Sequence, residues 1–202
     1  MGIRGERLNE DGLKKIYEIP SQERIELAIM NHRDFNFRQN LMVFRVTDIS
    51  GVVNHECDCL IMSKNGYLTE IEIKRSYTDF LADFKKNHSH EDCRVKEFYF
   101  MVHESFKDKV IEKLIEMKRV PSGIYVYDDD CNIKLAISYS DIVKSIFGKP
   151  YHLCSLSECF LYCDRWSSRR LFLEEQYQLA RLGAMKYRNM TERLIRYKEI
   201  EK

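Results

Sequence analysis

Asp58, Glu72 and Lys74 are the residues of this chain whose types and spacing could do chemistry, and they flank a turn signal, Lys64-Asn65-Gly66, within the stretch HECDCLIMSKNGYLTEIEIK. Two β-type runs on either side of such a signal read as a hairpin, and its register decides whether the three residues meet. A two-residue turn at Asn65-Gly66 would set Asp58 opposite Ile73 and mix a carboxylate into the face of Ile71 and Ile73. A three-residue loop with Gly66 in the left-handed position instead pairs Ser63 with Tyr67 and sets Asp58 opposite Glu72. Strand side chains alternate with period two, so the faces then separate. One carries Cys57, Cys59, Ile61, Ile71 and Ile73, and the other Glu56, Asp58, Leu60, Glu70, Glu72 and Lys74. The second register is the one predicted.

On that polar face the carboxylates of Asp58 and Glu72, with the backbone carbonyl of Ile73 between them, offer hard oxygen ligands to Mg²⁺ or Mn²⁺. Such an ion keeps waters that can attack a phosphodiester. Lys74 can orient or deprotonate that water and neutralise charge in the transition state; its replacement by Ala is expected to abolish turnover while sparing the fold. Spacing alone equally allows an ordinary cross-strand ion pair between Glu56 and Lys74, with the other acids solvated.

The elements that must position this face follow from local patterns. Residues 1–20 are polar and end at Pro20, which reads as a loosely held arm. Ser21 then caps a helix from Gln22 to His32 with Ile25, Ala28 and Ile29 on its apolar stripe. Leu41 to Ile49 reads as a strand. After Lys74, Ser76 caps a helix with Asp79 three residues on, and Phe80 and Phe84 form its buried stripe. A strand from Lys96 to His103, a helix from Ser105 to about Met117 and strands at Gly123–Tyr127 and Ile133–Ile137 follow. Gly148-Lys149-Pro150 marks a boundary between a core (1–148) and a helical extension (149–202), whose long helix begins near Ser168.

The chain has 202 residues, 44% of them hydrophobic, enough to bury one core. Its 33 Lys+Arg balance 32 Asp+Glu to a formal charge of +1, so no global pull toward nucleic acid or membrane exists. Nothing approaches the run of about 18 apolar residues a spanning helix needs, and the expected location is the cytoplasm with no membrane partner. Seven cysteines, an odd number, argue against a disulfide framework.

Asp58, then Glu72-Ile73-Lys74 closing the next strand, followed by RSYTDFLADFKK, resembles the PD-(D/E)xK nuclease superfamily, most closely its small bacterial and phage members with an EIK-x-S-x-x-D-F-x-x-D signature. The likeness includes Glu56 two residues before Asp58, the Ser76, Asp79, Phe80 and Asp83 pattern, and the later strand, helix and strand, and covers roughly Ser21 to Tyr139. It implies an α/β, restriction endonuclease-like mixed β-sheet flanked by helices, with Asp58 and Glu72 as metal ligands, Lys74 as the catalytic lysine, Mg²⁺ or Mn²⁺ as cofactor and DNA as partner. Many members add a Glu from the first helix, for which Glu23 and Glu26 are candidates. The Pro of the family's name is absent here, since His55-Glu56-Cys57 precedes Asp58, at the loosest position of the motif.

Other features carry two readings each. Asp79 and Asp83 could reach the site or serve as helix cap and solvated surface. His88 and His90 could contact phosphate or metal, though a solvated loop explains them. Cys57 and Cys59 point to the apolar face as small hydrophobes. Cys154, Cys159 and Cys163 have gaps that suit one face of a helix better than a closed zinc site. The basic C-terminal helix could track a nucleic-acid backbone, but interleaved glutamates suit a solvated helix with local ion pairs. The expected function is therefore a metal-dependent nuclease hydrolysing DNA in repair, restriction or phage DNA processing. The alternatives are an inactive DNA-binding or protein-docking module on the same fold and a Cys/His metal-binding regulatory protein; a homo-oligomer is compatible with all three.

Overall fold

The computed structural model describes residues 3–8, 14–47, 52–53, 55–84, 94–117, 123–148 and 168–200. His88, His90, Cys154, Cys159 and Cys163 lie outside them. In chain order the elements are β1 (Ile3–Leu8), β2 (Lys14–Ile19), α1 (Gln22–Asn31), β3 (Leu41–Val46), β4 (Cys57–Met62), β5 (Leu68–Lys74), α2 (Tyr77–Asp83), β6 (Val95–His103), α3 (Lys107–Met117), β7 (Gly123–Tyr127), β8 (Ile133–Ile137), α4 (Tyr139–Phe147) and α5 (Leu173–Ile200). Strands β3 to β8 form one sheet in sequence order. β3, β4 and β5 run antiparallel, β5, β6 and β7 parallel, and β8 returns antiparallel.

The parallel centre needs crossovers, which α2 supplies between β5 and β6 and α3 between β6 and β7. Ser76 accepts from the Asp79 N–H at the start of α2, and Ser21 caps α1, ahead of β3, by accepting from the Arg24 N–H. One sheet face packs Phe98, Phe100, Val102, Ile124 and Val126 against Phe80 of α2, Val110 and Leu114 of α3, and Ile142 and Val143 of α4. The other buries Ile25 and Ile29 of α1 on Cys59, Ile61, Ile71 and Ile73. A third cluster, with Val43, Leu60 and Leu68, lies under Leu171 and Leu179 at the start of α5.

The hairpin takes the three-residue register. Cys59 pairs with Ile71 and Leu60 with Glu70, the Ser63 N–H donates to the Tyr67 carbonyl at 2.9 Å, and Gly66 has φ +78°. Gly66 also accepts from the Leu171 N–H at 2.8 Å, so the turn anchors the approach to α5. A Cβ there would sit in the left-handed region, 3.2 Å from Gln176 Nε2. Gly66→Ala is expected to lower stability by about 1–2 kcal/mol, read as a shift in the urea midpoint at unchanged slope.

Three expectations are corrected. The segment read as an arm contains the β1–β2 hairpin, in which Ile16, Tyr17 and Ile19 supply strand propensity. Helix α4 went unread, although Ser138 caps it and left-handed Gly148 (φ 66°) closes it. Cys57 is buried, yet in the cluster under α5 rather than with Cys59. Cys57 pairs with Val46, a member of that same cluster, beyond Arg45, whose φ of 52° falls at the one unpaired step of the β3–β4 ladder.

Candidate active site

Asp58 is the second residue of β4, Glu72 and Lys74 lie at the end of β5, and the register carries Asp58 to the level of Glu72. The regular ladder stops one pair short of them, and the side chains take over the hydrogen bonds. Asp58 Oδ2 accepts from the Ile73 N–H at 2.8 Å, and Glu72 Oε1 accepts from the Asp58 N–H at 3.2 Å. A strand residue sends its N–H and C=O to the same neighbour, so the Ile73 carbonyl is directed to the Asp58 side as well.

Lys74 is buried and held by two acids. Its Nζ lies 3.0 Å from Glu72 Oε2 and 3.0 Å from Asp83 Oδ1, and all three side chains are at most 6% exposed. The cross-strand pair with Glu56 does not form: Glu56 is exposed and makes no ion pair among the described residues. Two residues down the same face, buried Glu70 holds buried His55, with Oε1 and Nε2 3.0 Å apart.

Burial is the largest influence on Asp58 and, with Asp79 and Asp83 nearby, raises its pKa despite the Ile73 N–H and the Lys74 charge. For Lys74 burial works against the charge, but the charges of Glu72 and Asp83 outweigh it and leave the ammonium more firmly protonated than usual. The expectation that Lys74→Ala spares the fold is corrected accordingly, because the substitution would strand two buried carboxylates.

The accessory candidates divide. Asp83 joins the site through Lys74. Asp79 and Ser76 serve the start of α2: Asp79 Oδ2 accepts from the Arg75 N–H at 3.4 Å, and Ser76 Oγ from the Asp79 N–H at 3.1 Å. Glu23 and Glu26 are both taken by Arg45, at 2.7 and 2.8 Å, and that hydrogen bond lowers Glu23 to about 2. The α1 residue that reaches the site is Gln22, whose Nε2 donates to Asp58 Oδ1 at 3.4 Å. Arg45 at its strained position thus ties down the end of α1 that carries Gln22. Sequence reasoning missed Gln22, His55 and Arg45; the lone signal was His55 next to the acidic run. Cys57 and Cys59 are core thiols, which burial pushes up and keeps protonated.

The donor set suits a small hard cation. Asp58, Glu70, Glu72 and Asp83 share this region with the buried Lys74, and burial raises the pKa of Asp58. Among the described residues no cluster of three or more His, Cys, Asp or Glu side chains is arranged as a metal cage. Two carboxylates and a carbonyl, completed by waters, are what Mg²⁺ commonly takes from a protein. A cavity of about 90 Å³ lined by Asp34, Thr69, Glu97, Tyr99 and Tyr125 belongs to the opposite side of the sheet, where Tyr125 joins the cluster under α1.

No protein-family model and no curated protein matches the chain. Among solved structures it is similar to a protein of unknown function from Silicibacter pomeroyi, with a TM-score of 0.51 and 15% identity over 87% of this chain and 91% of that one. Among the described residues no helix is long and apolar enough to cross a membrane. The likeness is one of fold: a mixed α/β protein with a six-stranded sheet flanked by helices.

Proposed function

We propose that this protein is a divalent-metal-dependent nuclease of the PD-(D/E)xK, restriction endonuclease-like type, hydrolysing DNA phosphodiester bonds in repair, restriction or phage DNA processing. The observation that carries the reading is the meeting of Asp58 and Glu72 across Ile73, with the Lys74 ammonium 3.0 Å from Glu72. Asp58, Glu72 and the Ile73 carbonyl would hold Mg²⁺ or Mn²⁺, which supplies an activated water and charge stabilisation when bound. Lys74, kept protonated by Glu72 and Asp83, acts as a fixed positive charge toward the phosphoryl oxygens rather than as a base. Asp83 and Gln22 are positioning residues, acting through Lys74 and Asp58.

A second reading, a DNA-binding or protein-docking module without turnover, draws on the same Lys74, because a lysine locked between two acids is also an ordinary structural pair. The discriminating experiment incubates the protein with single-stranded, duplex, flapped and nicked DNA in Mg²⁺, Mn²⁺ or chelator. Cleavage that needs the metal supports the nuclease; none on any substrate leaves the module.

A further inference from the structure

Tyr99 of β6 lies across Gly123, its partner in β7. A Cβ on Gly123 would fall 2.6 Å from Tyr99 Cε1, so the missing side chain is what lets the ring rest there. The Tyr99 and Tyr125 rings stand edge to face with centroids 5.1 Å apart, and Phe35 lies against Tyr125 at 4.9 Å. These rings line the cavity of about 90 Å³ on the α1 side of the sheet. Phe35, Ile61 and Tyr125 are its buried floor, and Asp34 and Glu97 its exposed rim. The loop that carries Asp34 and Phe35 is knitted in place. The Phe35 and Asn36 N–H groups both donate to the His32 carbonyl, Asn36 takes φ 42°, and Asn40 Nδ2 donates to the Phe35 carbonyl at 2.6 Å.

The donors of this wall are turned onto its own acceptors. The Tyr125 hydroxyl donates to Asp34 Oδ2 at 3.0 Å, and the Tyr99 and Thr69 hydroxyls reach Glu97 Oε2 at 3.5 and 3.4 Å. Burial first, then Glu97, pushes the Tyr99 phenol up to about 12, and burial with Asp34 raises Tyr125 as well, so both hydroxyls keep their protons. The carboxylates lack a cation inside the cavity. Arg33 approaches Asp34 Oδ1 at 3.5 Å but is 92% exposed and does not line the cavity. His32 Nδ1 accepts from the Asp34 N–H. Glu97 has no ion-pair partner among the described residues. What the wall offers a ligand is negative charge, acceptor oxygen and ring surface.

We infer that this cavity is a binding site for a guanidinium group. A guanidinium supplies the N–H donors and positive charge that the wall lacks, stacks on aromatic rings, and sheds water more readily than an ammonium does. The space equals about three waters at ~30 Å³ each, which suits such a head and excludes a nucleobase. The site is separate from the metal face: Thr69 lies five residues before Lys74 in β5, about 17 Å along the strand, and on the other side of the sheet. Its two carboxylates repel phosphate, so it is no extension of a DNA track. An arginine side chain of a partner polypeptide and a small free guanidine share this chemistry.

The test titrates the full chain in a calorimeter with methylguanidinium, with the neutral and similarly shaped methylurea, and with a capped Ala-Arg-Ala peptide. Asp34→Asn and Glu97→Gln remove one charge each at exposed positions and should leave the melting midpoint unchanged. The expected result is saturable methylguanidinium binding with a Kd on the order of 1 mM. Either substitution should weaken it roughly fivefold, the upper range for one exposed charge pair, and methylurea should not bind. A peptide that binds as tightly as methylguanidinium or tighter assigns the site to an arginine side chain, and one that binds more weakly assigns it to a free guanidine. No saturable binding at concentrations about tenfold above the expected Kd overturns the inference, including the case in which another segment of the same chain fills the cavity. Methylurea binding as well as methylguanidinium overturns it too, because charge is then not read. Binding that ignores both substitutions places the cation elsewhere and overturns the site. None of these outcomes depends on cleavage.

Discussion

Lys74→Ala is expected to cost about 3–5 kcal/mol of stability, because it leaves Glu72 and Asp83 buried without the ammonium that lies 3.0 Å from each. It should also lower metal-dependent cleavage by about 10²–10³-fold, the size of effect seen when one fixed stabiliser of transition-state charge is removed. The two losses separate in a double variant. Asp83→Asn removes one of the two stranded charges, so Lys74→Ala should cost clearly less stability in that background while cleavage stays lost. Denaturant melts of the four proteins measure the coupling. Equal costs in both backgrounds would mean that Asp83 does not hold Lys74.

Asp58→Asn should do the opposite to stability while also abolishing cleavage. Burial raises the folded-state pKa of Asp58, so the folded protein binds that proton more tightly than the unfolded chain does. The penalty for ionising Asp58 therefore grows as pH rises from the ordinary carboxylate range through the raised value, and is fully present above it. Asn keeps an oxygen to accept from the Ile73 N–H and carries no charge. A gain of about 0.5–2 kcal/mol follows, typical of relieving a destabilised functional site, or roughly 2–4 °C in Tm per kcal/mol for a chain of this size. The gain should appear at pH 7–8 in chelator and vanish at acid pH, where Asp58 is protonated in both states. Thermal melts across that range check it. An Asn variant less stable than wild type at pH 7 would mean that the Asp58 charge is already compensated.

The part of the site that was legible in the sequence is the part built by local rules. Lys64-Asn65-Gly66 marked the turn, the separation of apolar from charged residues on the two strand faces selected the three-residue loop, and that register put Asp58 level with Glu72. Ser76 with Asp79 marked the start of α2. What could not be read depends on contacts between distant segments. That Asp83 rather than Glu56 holds Lys74 follows from how α2 lies on the sheet through Phe80, which no spacing in β5 encodes. That Gln22 rather than Glu23 or Glu26 reaches Asp58 follows from Arg45, a non-glycine residue at φ 52° that takes both glutamates. Strain at such a residue is set by its surroundings, so it leaves no mark in the local sequence. His55 with Glu70 is a long-range pair of the same kind.

Anomalous diffraction from crystals soaked in millimolar Mn²⁺ shows directly whether the hairpin face holds a metal. The expected ion is held by one carboxylate oxygen each from Asp58 and Glu72 and by the Ile73 carbonyl, at about 2.0–2.2 Å as for a small hard cation, with Lys74 still against Asp83. Crystals with no anomalous peak there, and with Asp58 and Glu72 keeping their present bonds to Ile73, Gln22 and Lys74, would contradict that expectation.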